Sequence, residues 1–158
     1  AIAFATASFG QGVAVTPLQL ISAASAIANG GKLMRPYVND ELGPKEIREV
    51  ISARAARQVT DMMVSALDKA EVAKISSYAL AGKTGTAQVP IKGGYADDRV
   101  INTYVGFGPV TAPRFVILIK INEPEGAPVA GLTVVPAFRE LAQFILNYYN
   151  IPPDRLDN

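Results

Sequence analysis

The chain is predicted to be α+β, an antiparallel sheet packed by helices, and three observations carry that expectation. Apolar residues recur at helical spacing over 16–29, over 52–67 and from Pro136 onward, whereas the period between Tyr78 and Ile121 is extended. Two of the extended runs, 101–110 and 115–121, are separated only by Thr111-Ala112-Pro113-Arg114, a turn short enough for antiparallel pairing. With 158 residues, 49% of them apolar and 18% charged, the chain has the length and composition of one globular domain around one core. Helices before and after such a sheet define the arrangement.

Residues 1–31 include no charged side chain. Gly10, Gln11, Gly12, Thr16 and Pro17 interrupt the stretch before it reaches the roughly 18 apolar residues of a membrane span. It lacks the basic start of a signal peptide and begins at Ala rather than Met, so it reads as a buried loop and helix cut from a longer chain. Thr16-Pro17-Leu18-Gln19 has the form of a capping box with proline at the first helical position. The helix should run to Asn29 and stop at Gly30-Gly31, and Leu18, Ile21, Ala24 and Ala28 leave it almost no polar face, which predicts a helix enclosed on most sides.

A second helix is predicted from the N-cap Ser52 to about Leu67, with Ala56, Val59, Met63, Ala66 and Leu67 on one stripe. Met62 and Met63 read as core fillers. Residues 78–89 read as a strand interrupted by Gly82 and Gly85, followed by a flexible loop over 91–99. After a Pro- and Gly-containing loop over 123–131, the last helix is expected to open near Pro136 and to bury Phe138, Leu141, Ala142, Ile145, Leu146 and Tyr149. Ile151-Pro152-Pro153 should end it.

Composition narrows the chemistry. With no His and no Cys, a Ser-His-Asp triad, a cysteine nucleophile and an imidazole or thiolate metal site are excluded. No metal and no cofactor is implied, and any reaction must run on Ser, Thr, Lys, Tyr or carboxylates. Fifteen basic against 14 acidic residues, a net charge of +1, leave no electrostatic footprint for nucleic acid.

Gly82-Lys83-Thr84-Gly85-Thr86 concentrates an ammonium, two hydroxyls and two glycines on a predicted strand. Lys83 offers a fixed positive charge, Thr84 and Thr86 offer neutral donors, and Gly85 lets another chain approach the backbone closely. That set suits a peptide ending in a carboxylate. A phosphate-binding loop needs Gly five residues before Gly82, where Ser77 stands instead. The plainer alternative makes Lys83 a solvated strand residue and Gly85 a bulge.

Taken with Phe9-Gly10-Gln11-Gly12, Thr16 to Leu20, Ala28-Asn29-Gly30-Gly31, Val105-Gly106-Phe107-Gly108-Pro109 and Ile151-Pro152-Pro153-Asp154, this segment resembles the C-terminal half of a penicillin-binding transpeptidase domain of the class B, monofunctional kind. The resemblance spans nearly the whole of residues 1–158 and implies a partial penicillin-binding or serine β-lactamase-like fold. The family's nucleophilic Ser with Lys three residues later is missing: Ser8, Ser22, Ser25, Ser52, Ser65, Ser76 and Ser77 are followed at that spacing by Gln, Ser, Ala, Ala, Asp, Ala and Leu. No Ser-x-Asn occurs either. Both motifs belong upstream in the family, so Ala1 is expected to be a cut inside the catalytic domain, and this chain alone is expected to be inactive.

What the resemblance implies is serine acyl transfer on D-alanyl-D-alanine stem peptides of peptidoglycan, blocked by β-lactam antibiotics, at the extracytoplasmic face of the bacterial membrane. It implies Lys83 in a catalytic role, Thr84, Gly85 and Thr86 against substrate, and the Thr86 N–H in the oxyanion hole. The partner would be the N-terminal part of the same domain; the membrane would be met only through an anchor of the parent. A non-catalytic β-lactam sensor and a scaffold fragment remain alternatives. Gln88 and Tyr104 are possible rim residues, and Tyr95, Asp97, Asp98 and Arg99 read as a solvated loop overhanging the cleft. On a flat strand Lys83 and Gly85 face one way while Thr84 and Thr86 face the other, so the groups converge only on an edge strand twisted at Gly85. The segment is therefore predicted to be an edge strand.

Overall fold

The computed structural model describes residues 2–8, 10–126 and 129–155. Phe9 and Ala1, used above, lie outside the described residues. A short helix α1 (Ile2–Ala7) precedes α2 (Pro17–Ala28), which opens on the expected capping box. The Gln19 amide donates to Thr16 Oγ1 at 3.2 Å, and the Thr16 amide donates to Gln19 Oε1 at 2.9 Å. The helix closes at Asn29, and Gly30 (φ 83°) and Gly31 (φ 108°) turn the chain left-handed.

Beyond Gly31, β1 (Lys32–Met34) and β2 (Glu46–Glu49) form an antiparallel ribbon that the sequence does not announce. Three- and four-residue strands carry too little alternation to read, and every residue of β2 is exposed. Next, α3 (Ala53–Asp68) starts at the expected cap, the Ala55 amide donating to Ser52 Oγ at 3.2 Å. Its buried stripe is Ala56, Met63 and Leu67 with Val59 half-buried; Ala66 and Met62 face solvent, contrary to expectation.

Three long strands build the main sheet: β3 (Ala81–Ile91), β4 (Gly94–Gly108) and β5 (Phe115–Asn122), antiparallel in the order β3-β4-β5. The predicted flexible loop over 91–99 is instead the end of a hairpin, with Pro90 opposite Tyr95 and Ile91 opposite Gly94. Pro90, Gly93, Gly94, Asp97 and Asp98 are poor strand formers, which hid the pairing. Proline is tolerated because β3 is an outer strand, paired on one side only among the described residues. The loop residues thus become strand residues, and Arg99 pairs with Glu123 at 3.6 Å.

The last helix, α4 (Ala130–Tyr148), begins well before Pro136, which lies inside it. Its N-cap Val129 has no side-chain cap of its own. The Ala130 amide is satisfied by Thr86 Oγ1 of β3 at 3.3 Å, a tertiary cap that no local sequence signal reveals. Val134, Val135, Phe138, Ala142 and Leu146 form its buried face, while Leu141 and Tyr149 are exposed, against expectation. That face lies on one side of the sheet, with the Tyr104 and Phe138 rings 4.5 Å apart. On the other side Ala81 and Phe107 pack with Met63 of α3 and Ile27 and Ala28 of α2.

α2 is less enclosed than its sequence predicts: only Ala24 and Ala26 are buried, and Leu18 is 59% exposed. Together with the β1–β2 ribbon and α3 it walls an open apolar groove of about 780 Å³, lined by Leu18, Ile27, Met34, Ile47 and Val59.

The C-terminal segment clasps the approach to β3. Tyr78 Oη donates to the Ile151 carbonyl at 2.6 Å, and Asp154 accepts from the Ala79 amide at 2.7 Å and from Thr111 Oγ1 at 2.9 Å. Arg155 donates to both carboxylate oxygens of Asp68, at 2.8 and 3.0 Å. Of residues 78–80, expected within the strand, Tyr78 and Ala79 serve this clasp instead, and Leu80 is buried in the core. Asp154→Ala is expected to lower unfolding free energy by about 1.5–3 kcal/mol, read as a lower denaturant midpoint at unchanged slope.

Candidate active site on the edge strand

Strand order leaves β3 with one neighbour among the described residues, so its outer N–H and C=O groups are open to an extended ligand. The register sorts its side chains. Gly82, Thr84 and Thr86 lie opposite Gly106, Tyr104 and Asn102, on the face covered by α4. Lys83 and Gly85 lie opposite Val105 and Thr103, on the face that packs toward α2 and α3.

Strand alternation would separate Lys83 from the threonines, yet the ammonium does not stand off its face. Lys83 Nζ donates to the Thr84 carbonyl at 2.9 Å, so the side chain folds back onto the strand's own backbone. Lys83 and Thr86 are exposed, with Thr84 and Gly85 half-buried between them. The strand therefore carries an exposed ammonium from one face and the exposed Thr86 from the other, beside its open backbone edge. Gln88 is exposed further along that border.

Tyr104 is not a rim residue. It is 2% exposed beneath α4, and its hydroxyl has no hydrogen-bond partner among the described residues. The ring reaches across to Gly82, where any β-carbon would overlap the hydroxyl, which is why glycine opens the motif. Burial pushes the phenol well above its usual range. The folded chain therefore keeps a proton that the unfolded chain releases, so this group leaves stability unchanged below about pH 10 and erodes it as pH rises further. Tyr104→Phe is expected to be neutral or stabilising by about 1 kcal/mol near pH 7 and to shrink the alkaline loss, both measurable by chemical denaturation across pH.

Two neighbours that sequence reasoning missed lie behind Thr86. Asn102 is wholly buried, its Nδ2 donating to Thr133 Oγ1 of α4 at 3.0 Å and its Oδ1 without a partner among the described residues. No local signal marks either residue; only the β3–β4 register and the early start of α4 bring them under the motif.

An open edge strand with an exposed ammonium, on an α+β scaffold, is the class of surface to which an extended chain can add as a further strand. Comparison with known proteins gives the same class a family. The penicillin binding protein transpeptidase domain matches residues 2–143. Stage V sporulation protein D of Bacillus subtilis is 34% identical over 144 residues, which covers 82% of this chain and 22% of that protein. A probable peptidoglycan D,D-transpeptidase, PbpC of Pseudomonas aeruginosa, is 32% identical, covering 99% of this chain and 28% of that protein. Among solved structures, the transpeptidase domain of Burkholderia pseudomallei penicillin-binding protein 3 superposes with a TM-score of 0.85 at 31% identity, covering 98% of this chain and 49% of that one. Penicillin-binding protein 3 of Mycobacterium tuberculosis, solved in complex with ampicillin, superposes with a TM-score of 0.78 at 28% identity.

The chain belongs to the penicillin-binding protein transpeptidase family. It spans about half the length of the solved transpeptidase domain and about a quarter of the curated relatives just described.

Proposed function

We propose that the chain is the Lys-Thr-Gly-bearing, C-terminal part of one class B transpeptidase domain, completed by polypeptide carrying the serine. The supporting observation is the placement of Lys83, Thr84, Gly85 and Thr86 on an edge strand of a chain that matches this family. The intact enzyme is a peptidoglycan D,D-transpeptidase acting outside the bacterial cytoplasmic membrane. A stem peptide ending in D-alanyl-D-alanine lies along β3, its backbone bonding to the open edge.

In this reading the serine hydroxyl attacks the penultimate carbonyl, the amide bond breaks, and the terminal D-alanine leaves as an amine that takes a proton. An amine of a neighbouring strand then displaces the serine, forming the cross-link and returning the hydroxyl. Lys83 supplies positive charge beside the nucleophile and hydrogen-bonds the second serine of the domain. Thr84 and Thr86 hydroxyls hold the terminal carboxylate, each charged hydrogen bond contributing about 1.5–3 kcal/mol. The Thr86 N–H receives the developing oxyanion, where loss of a donor costs about 2.7–4 kcal/mol. Penicillins enter the same cleft because they carry a carboxylate beside a strained amide.

Labelling with a fluorescent penicillin tests this. The intact protein should form a covalent adduct on its serine and this chain alone should form none; an adduct on residues 1–158 by themselves would overturn the proposal.

A further inference from the structure

Asn102 is the one fully buried polar residue among those described, and its Oδ1 has no partner. An apolar side chain there would avoid burying an orphan acceptor, so packing does not explain the amide. Its geometry does. Nδ2 donates to Thr133 Oγ1 at 3.0 Å, and the Thr133 hydroxyl in turn shares its proton between the carbonyls of Val129, the N-cap of α4, at 3.4 Å and of Ala130 at 3.5 Å. Asn102 thereby ties β4 to the first turn of α4.

That turn carries the Ala130 amide, which donates to Thr86 Oγ1 at 3.3 Å, and Thr86 is the cross-strand partner of Asn102. The contacts close a ring through both strands and the helix start. A hydroxyl has one proton and two lone pairs. With one lone pair committed to Ala130, the Thr86 proton is left to point away from the helix, and a carboxylate can only accept.

We propose that Asn102, acting through Thr133 and the start of α4, is a positioning residue that fixes the Thr86 hydroxyl as a donor to the ligand's carboxylate. The proposal rests on the reading of Thr86 given above. It concerns recognition of the carboxylate, and the acyl-transfer step itself is left to other groups.

The experiment compares acylation of the intact protein by penicillin and by penicillin methyl ester, which lacks the anionic carboxylate. Thr86→Ala measures how much of the preference for the acid passes through that hydroxyl. Asn102→Leu and Thr133→Val, at melting temperatures near that of the unmodified protein, are each expected to reduce the preference by about tenfold. Thr133→Ser, which keeps the hydroxyl, should retain it. If Thr86→Ala abolishes the preference while both other variants keep it, or slow acid and ester equally, the positioning role is overturned and the reading of Thr86 stands. A preference unchanged by Thr86→Ala would remove the reading of Thr86 and this inference with it.

Discussion

Lys83→Ala in the intact protein is expected to slow acylation by penicillin by about 10²–10³-fold, the loss typical of removing one preorganised electrostatic contact at a reacting centre. The side chain is exposed, and its one hydrogen bond among the described residues goes to the Thr84 carbonyl, so the substitution should leave the melting temperature nearly unchanged. The loss should therefore appear in the rate rather than in the amount of folded protein. Lys83→Arg should not restore it, because a planar guanidinium cannot stand in for a compact ammonium at the edge of a strand. Acylation kinetics by stopped flow check both variants; an unchanged rate for Lys83→Ala would take the ammonium out of the chemistry.

Gly82→Val is expected to destabilise the fold by about 3 kcal/mol or more, because two added branches would be driven into the buried Tyr104 ring. Tyr104 cannot swing aside, since it packs on Phe138 under α4. Shrinking the ring's side of the contact should relieve part of the loss, so Gly82→Val with Tyr104→Leu should be less damaged than the sum of the single variants. Denaturant midpoints for the four proteins of the cycle measure the coupling; strict additivity would show that Tyr104 is not what requires glycine at 82.

The legible parts of the molecule were those written locally. Thr16 to Gln19 and Ser52 state their caps within four residues, and Gly30-Gly31 states its turn, so α2 and α3 fell within a residue or two of expectation. The edge position of the motif over 82–86 followed from asking how Lys83 and the threonines could meet. What escaped was written between elements. α4 starts at Ala130 because Thr86, 44 positions earlier, caps it, so Pro136 was mistaken for a helix start. The β3–β4 hairpin extends through Pro90 and Gly94 because pairing overrides poor propensity. Tyr104 could not be assigned to core or rim until the register placed it across from Thr84 and under Phe138. The open side of α2 was invisible for another reason: helical spacing shows which face is apolar, and here part of that face lines a groove rather than a packed core.

A crystal structure of the intact protein acylated by penicillin tests the assignment of the cleft most directly. We expect the bound acyl group to lie alongside residues 82–86 of β3, with its carboxylate about 2.7–2.9 Å from the Thr84 and Thr86 hydroxyls and its carbonyl oxygen on the Thr86 N–H. An acyl group seated away from this strand, or a second strand of the protein already paired along its outer edge, would contradict it.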